Sequence, residues 1–272
     1  MSVRRILVAI DTSPGSLAAA EAAARLAARL EAELEGLFVE DVRLLRLVQS
    51  PLAREVDTLT ASRRQPASKL LKRQFRLQGL RAREELGRIA DRLGISWSFR
   101  VARGAVSSEI AAAAAGADIV SLGQVGWSAR PQRALGAAAS AVLEHKSSCT
   151  LLMRRTLDVR TPVLVLYDGS DQGERALALA RQLAGDEPGA LEVLLIGADE
   201  SVLRSRLESA ASTEAKAAVI GVVGSATDPG LARALKQAAA GSLVVPVGGD
   251  PAHREILHDI LSTIDCPVLL VS

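Results

Sequence analysis

The chain has 272 residues, enough for one large domain or two ordinary ones, and its 33 basic and 31 acidic residues leave a formal charge of only +2. Such a mixed surface does not favour a nucleic-acid partner. Hydrophobic residues make up 49% of the chain but aromatic residues only 2%, so we expect an aliphatic core, as in parallel α/β sheets covered by alanine-rich helices.

The N-terminal sequence and the two cysteines indicate where the protein is located and which kinds of structural site it lacks. The apolar run at residues 6–10 is followed at once by Asp11 and is too short for a signal peptide or a membrane span. We therefore expect a cytoplasmic protein that does not contact the membrane. Cys149 and Cys266 are too few for a disulfide scaffold or a four-cysteine metal site. Each precedes an apolar run, so we expect both to be small buried side chains.

Predicted strands and helices alternate along the chain, which is typical of a doubly wound parallel sheet. In the first part, strands are expected near 4–10, 34–39, 96–102, 118–122 and 150–154, and helices at 15–32, 68–93, 106–115 and 137–146. In the second part, strands are expected near 162–167, 191–196, 217–223, 242–247 and 267–271, and helices at 171–184, 200–211, 228–240 and 253–263. Five strands therefore recur in each part.

The two parts begin and end alike. Residues 8–13 (VAIDTS) resemble residues 165–170 (VLYDGS), and residues 148–153 (SCTLLM) resemble residues 265–271 (DCPVLLV). These similarities indicate a tandem duplication, with domains at residues 1–156 and 161–272 joined by a short linker.

The closing strands of the two copies are apolar edges, which proteins in water rarely leave bare. We therefore expect Thr150 to Met153 to pack against Val268 to Val271, giving an intramolecular pseudo-dimer. A further homodimer is an open alternative.

The clearest difference between the copies is an insertion in the first, from about Asp41 to Leu71, where prolines and mixed charges interrupt the helical pattern. We expect this segment to cover or extend one edge of the sheet. Basic residues from Arg63 to Arg83 are followed by Glu84 and Glu85, and Phe75 is the only aromatic residue among them. This pattern favours a solvated amphipathic helix over a nucleic-acid surface.

Glycines follow the predicted strand 118–122 in a spacing that phosphate-binding loops use: Gly123, Gly126 and, after nine further residues, Gly136. Glycine lets the backbone approach an anion closely, and the N-terminus of the next helix favours negative charge. Three glycines in a loop are also common in ordinary turns. The second part has no such loop, and its Asp168-Gly-Ser170 is typical of a turn with a helix N-cap, with a vestigial pocket as the alternative.

Together these motifs resemble the universal stress protein family, in its tandem two-domain form, across almost the whole chain. The resemblance rests on Asp11-Thr-Ser after the first strand, Gly104-Ala-Val, Gly116-Ala-Asp118, the glycine loop and a closing Cys-x-x-Leu strand. It implies two Rossmann-like five-stranded parallel sheets. In the nucleotide-binding branch of the family, ATP or AMP lies at the switch point beyond the first and fourth strands.

The resemblance also implies roles for particular residues. Asp11 would contact the ribose or the adenine edge, and Val39 would line the adenine pocket. Leu122 and Gly123 would present backbone to the nucleoside, and the later glycines of the loop would shape the phosphate turn.

The chain departs from the family after Gly136. ATP binders of the family have Ser or Thr, an apolar residue and usually Ser, whereas this chain has Ala137, Ala138 and Ala139. A hydrogen bond to a charged group contributes about 1.5–3 kcal/mol, so the loss of two hydroxyl donors would weaken phosphate binding unless Arg130 or Arg133 compensates.

Two functions of different class fit these residues. One is a stress-response regulator that binds ATP or AMP in its first domain without enzymatic turnover. The other is a nucleotide-independent interaction module with a relic phosphate loop and an unknown protein partner. Magnesium would accompany ATP in the first case, with Glu40 and Asp41 as candidates, although these acids also suit a hydrated strand end. No Gly-x-Ser-x-Gly elbow accompanies a usable histidine, so we expect no catalytic site and at most slow, incidental ATP hydrolysis.

Overall fold

The computed structural model describes residues 3–50, 55–56, 63–64, 68–123, 141–142, 149–153, 159–210, 217–225, 228–248, 257, 260, 264 and 266–272. Its strands are β1 (Arg5–Ala9), β2 (Glu33–Asp41), β3 (Glu55–Val56), β4 (Arg63–Arg64), β5 (Trp97–Gly104), β6 (Ile119–Gly123), β7 (Cys149–Met153), β8 (Val163–Tyr167), β9 (Leu191–Ile196), β10 (Ala218–Val223), β11 (Ser242–Pro246) and β12 (Val268–Val271). The helices are α1 (Pro14–Leu30), α2 (Val42–Gln49), α3 (Ser68–Leu93), α4 (Val106–Ala114), α5 (Asp171–Ala184), α6 (Glu200–Ala210) and α7 (Pro229–Gln237). Within this described part, no helix combines the length and the apolar character needed to span a bilayer.

The ten long strands form one sheet in the order β10-β9-β8-β11-β12-β7-β6-β1-β2-β5. All neighbours are parallel except β7 and β12, which pair antiparallel with Leu151 opposite Leu269. The predicted pairing of the closing strands is therefore confirmed. We call β1 to β7 with their helices the first half and β8 to β12 with theirs the second half.

Each half is a doubly wound sheet that changes direction at its first strand. β1 lies between β2 and β6, and β8 lies between β9 and β11. The chain thus moves first to one side of the opening strand and then to the other. A crevice opens at such a switch point, beyond the carboxyl ends of the two strands where the direction changes.

The core explains why so few aromatic residues suffice. β7, β8, β11 and β12 are buried at every position, as strands covered on both faces are. Helix α1 lies on the sheet through fully buried alanines, including Ala19 and Ala23. The buried Ser121 on β6 donates a hydrogen bond to the carbonyl of Ala19 at 3.1 Å. Small side chains thus bring helix and strand close enough for a direct polar contact.

Helix α2 was not predicted. The expectation that residues after Asp41 lack a helical pattern is wrong for Val42–Gln49. Asp41 caps this helix, because its Oδ1 accepts a hydrogen bond from the backbone N–H of Arg43 at 2.8 Å. Further along the insertion, β3 and β4 pair antiparallel and form a separate two-stranded sheet.

The two cysteines have different surroundings. Cys149 on β7 is buried, as expected, whereas Cys266 before β12 is only half-buried. Burial raises the pKa of the Cys149 thiol, because the thiolate would lose its hydration.

Because the pKa of the Cys149 thiol is raised in the folded state, the protein should become less stable as the pH rises into the alkaline range. Above the ordinary thiol pKa of about 8.5, the unfolded thiol ionises while the folded one stays neutral, so the free energy of unfolding should fall by about 1.4 kcal/mol per pH unit. Replacing Cys149 by alanine should remove that slope, and Cys266→Ala should retain it. Urea unfolding between pH 8 and pH 10 measures both. An equal slope in Cys149→Ala and the parent would contradict the assignment.

Candidate functional site

The carboxyl ends of β1, β2 and β6 meet at one edge of the sheet. β1 pairs in parallel with β2 on one side and β6 on the other, and its last residue, Ala9, lies opposite Leu37. Asp11 and Val39 each lie two residues beyond that pair, and Gly123 ends β6. Three of the residues predicted from the sequence therefore share the switch point of the first half.

Asp11 begins a tight turn into α1. Its Oδ1 accepts a hydrogen bond from the N–H of Ser13 at 3.0 Å, while its own N–H donates to Ser16 Oγ at 3.2 Å. Thr12 between them has a φ of +63°, which is rare for a β-branched residue and marks a constrained turn. Ser13 then caps α1 by accepting from the N–H of Ser16. The turn holds the Asp11 carboxylate beside the start of the helix.

Gly123 is needed where β6 meets the first turn of α1. A Cβ at this position would lie 2.6 Å from the carbonyl oxygen of Gly15 and 3.0 Å from the amide nitrogen of Ser16. Both atoms belong to the backbone and cannot rotate away. The close approach therefore joins the end of β6 to the N-terminus of α1, where partial positive charge favours an anion.

The two apolar candidates differ in what they expose. Leu122 is buried in the cluster that contains Leu37 and Ile110. Val39 packs against the same cluster but remains partly exposed. A ligand at this edge would therefore meet the Val39 side chain and only the backbone of Leu122.

The other candidates, Gly126, Gly136, Ala137, Ala138 and Ala139, lie outside the described residues, and their roles stay predictions. The same holds for Arg130 and Arg133.

The acids at the end of β2 both have protein partners. Glu40 Oε2 lies 4.0 Å from Arg103 Nε, and Asp41 is the N-cap of α2. This arrangement favours the strand-end alternative over a magnesium site for these two residues. No group of three or more His, Cys, Asp and Glu in the described ranges is placed to hold a metal ion.

Asp118 has a role that its sequence motif did not reveal. Its Oδ2 accepts hydrogen bonds from the backbone N–H groups of Arg4 and Arg5 at 2.8 and 3.0 Å. These bonds tie the start of β6 to the start of β1. They fix the register that brings Asp11 and Gly123 together at the opposite end of the same strands.

The second half repeats the turn of the first. Asp168 Oδ1 accepts from the N–H of Ser170 at 3.0 Å, and Gly169 has a φ of +71° where the first half has Thr12. Ser170 caps α5 by accepting from the N–H of Gly173. The predicted turn and N-cap are confirmed.

The second half covers this turn with its own side chains. Arg206 on α6 donates a hydrogen bond from Nη1 to the carbonyl of Gly169 at 2.7 Å. Leu203 packs on the same turn, since a Cβ at Gly169 would lie 3.1 Å from its Cδ2. At the end of β8, Tyr167 donates a hydrogen bond to Glu174. Burial raises the pKa of the Tyr167 phenol, and the bond to Glu174 raises it further.

A family model described as the universal stress protein family matches residues 2–155. A universal stress protein from Archaeoglobus fulgidus DSM 4304 is 17% identical with a TM-score of 0.71, covering 100% of this chain and 99% of that one. A functionally unknown protein from Pseudomonas aeruginosa PAO1 is 16% identical with a TM-score of 0.54, covering 99% and 92%.

Both likenesses concern the fold alone and extend over both halves. A universal stress protein in complex with cAMP is 21% identical with a TM-score of 0.40, and the match covers 57% of this chain and 100% of that one. No curated protein sequence matches the chain.

Proposed function

Because the chain belongs to the universal stress protein family, we propose that it binds one adenine nucleotide, ATP or AMP, in its first half. In this proposal it acts as a cytoplasmic stress-response regulator rather than as an enzyme. Asp11 contacts the ribose or the adenine edge, and Val39 lines the adenine pocket. Gly123 and the glycine loop that follows it approach the phosphates.

The observation that carries this proposal is the meeting of Asp11, Val39 and Gly123 at the switch point of the first half. A carboxylate accepts hydrogen bonds from ribose hydroxyls or an adenine amino group. A partly exposed valine offers an apolar surface to the adenine ring. The start of α1, which packs on Gly123, adds a positive dipole end near the phosphates.

The second half supports a single site per chain. There the turn after β8 is covered by Arg206 and Leu203, and the sequence after β11 lacks the spaced glycines. A nucleotide would have to displace both side chains and would find no phosphate loop.

Calorimetric titration with ATP and with AMP should therefore give one nucleotide per chain. Asp11→Asn retains the Oδ1 acceptor for the Ser13 N–H but loses the charge, and should weaken binding about tenfold or more. The matched variant Asp168→Asn, at the same position of the second half, should bind like the parent. Two nucleotides per chain, or equal effects of the two variants, would contradict the assignment to the first half.

A nucleotide-independent interaction module is the second candidate function. It is favoured by α2, on which Leu44 and Leu47 are 45% and 62% exposed while only Leu45 is buried. Exposed leucines on a short helix of the insertion suit a protein partner. If the purified protein binds neither ATP nor AMP in the titration above, the interaction module replaces the nucleotide proposal.

A further inference from the structure

A groove lies on the second half, between strands β9 and β10 and helix α7. Its volume is about 540 Å³, within the range of small-molecule sites. Its apolar lining includes Leu194, Ile220, Val222 and Ala234. Ile220 is 42% exposed. An apolar strand residue left open beside a helix of the same half indicates a surface that a ligand can cover.

Glu192 on β9 places a carboxylate in this groove. It is on the same face of the strand as Leu194, which also lines the groove. Its Oε2 is inaccessible to solvent and has no hydrogen-bond partner among the described residues. A buried carboxylate oxygen without a donor is unfavourable, and such orphan groups are rare in native proteins. The Glu192 side chain beside the groove therefore lacks a donor for this oxygen.

The first half shows how the fold satisfies the same position. Glu35 lies opposite Leu7 of the opening strand, as Glu192 lies opposite Leu164 of β8. Glu35 Oε1 accepts from Arg100 Nε on β5 at 2.8 Å.

The second half has no arginine at the matching place on its edge strand. Arg100 stands two residues beyond the strand partner of Glu35, and Ile220 stands two residues beyond the strand partner of Glu192. The register of β10 also shifts between Val219 and Gly221. The second half thus has an isoleucine beside an open groove at the position where the first half has an arginine that pairs with the glutamate.

The charge of the groove favours a cation. The charged residues in its lining are Glu192, Asp228 and Arg233, two acids and one base, a formal charge of −1. Asp228 already caps α7 by accepting from the N–H of Gly230 at 2.7 Å. Arg233 is exposed at the groove. Glu192 is therefore the carboxylate with an unmet acceptor.

We propose that this groove binds a small organic cation, with a primary ammonium or guanidinium head on an apolar body. On binding, the Glu192 side chain turns Oε2 from its solvent-inaccessible position toward the groove, and the head donates a hydrogen bond to it, as Arg100 donates to Glu35 in the first half. The apolar body covers Leu194, Ile220 and Ala234. The site is separate from the nucleotide proposal, since it lies on the other half of the chain and uses none of the same residues.

The probe is 2-phenylethylammonium, and neutral 2-phenylethanol is its uncharged counterpart. Binding of each is measured by titration, monitored with ¹H–¹⁵N correlation spectra of the full chain. The cation should give saturable shifts centred on the amides of Leu194, Gly221 and Ala234. Because a charge-assisted hydrogen bond is lost, binding should be about tenfold or more weaker for the alcohol and for Glu192→Gln.

Two further variants distinguish binding in the groove from a general effect of changing the charge of the protein. Glu200→Gln, which removes an exposed carboxylate on α6 that pairs with Arg204, should bind the cation like the parent. Ala234→Leu, a helix-compatible change that fills the groove, should weaken both probes. If Glu192→Gln fails to give a folded spectrum, two comparisons still test the proposal: the cation against the alcohol, and Ala234→Leu against the parent. Absence of saturable shifts, equal binding of cation and alcohol, or unchanged binding in Glu192→Gln or Ala234→Leu would overturn the proposal.

Discussion

Truncating Leu269 to alanine should lower the free energy of unfolding by about 2–5 kcal/mol, the usual effect of opening a cavity at a fully buried leucine. Leu269 on β12 is fully buried and lies opposite Leu151 of β7, where the two halves of the sheet meet. The buried cluster to which both leucines belong also contains Val8 and Val165, one from the opening strand of each half. A loss of packing at this seam should therefore destabilise both halves together.

The tryptophans make this coupling measurable. Trp97 and Trp127, the two tryptophans of the chain, precede β7, whereas Leu269 belongs to the second half. In Leu269→Ala, the urea midpoint of tryptophan fluorescence should fall as far as the midpoint followed by far-UV circular dichroism. Ile220→Ala, on the exposed outer strand, should leave both midpoints near those of the parent. A fluorescence midpoint that does not move while the circular dichroism midpoint falls would show that the halves unfold independently.

The strands could be predicted closely because most of them are short apolar runs. β8 was expected at 162–167 and is Val163–Tyr167, and β12 was expected at 267–271 and is Val268–Val271. Strands that are covered on both faces need apolar side chains at every position, so their limits are visible in the sequence. The pairing of β7 with β12 was predicted by the same reasoning, since two apolar strands rarely both remain exposed at the edge of a sheet.

Helix limits were less predictable. Helix α7 was expected to run to residue 240 but ends at Gln237, although Ala238, Ala239 and Ala240 are strong helix formers. Immediately beyond them, Gly241 donates a hydrogen bond from its N–H to the carbonyl of Pro162, as the chain enters β11. A long-range contact thus overrides the local propensity. Helix α2 was missed because the prolines and mixed charges of the insertion indicated an interrupted helical pattern, although Val42–Gln49 itself contains no proline.

In the candidate site, too, some features could be predicted from the sequence and others could not. The motifs predicted Asp11 and Gly123, and the register places both at the switch point. The sequence did not show that Gly123 is needed to admit the backbone of Gly15, or that Asp118 holds the register by bonding the start of β1. Both are contacts between residues more than a hundred positions apart. The domain limits at residues 156 and 161 stay a proposal.

Restoring serine at positions 137 and 139 should strengthen ATP binding by about 1–4 kcal/mol, because each hydroxyl can donate to a charged phosphate oxygen while adding little bulk. This prediction rests on the three alanines that follow Gly136 where ATP binders of the family carry two hydroxyl residues. Ala138→Ser is the matched control, since the family has an apolar residue at that position, and it should change the affinity much less. Calorimetry of the parent and both variants measures the difference.

Gly126→Val should act in the opposite direction, since it places a β-branched side chain where, in the proposed site, the backbone would approach the ligand. A gain for Ala137→Ser/Ala139→Ser together with a loss for Gly126→Val would tie the affinity to the loop itself. The circular dichroism of each variant establishes that it is folded. If ATP affinity is the same in the parent and in these folded variants, the loop does not contact phosphate. The exposed leucines of α2 would then be the stronger indication of function, and the interaction module would replace the nucleotide regulator.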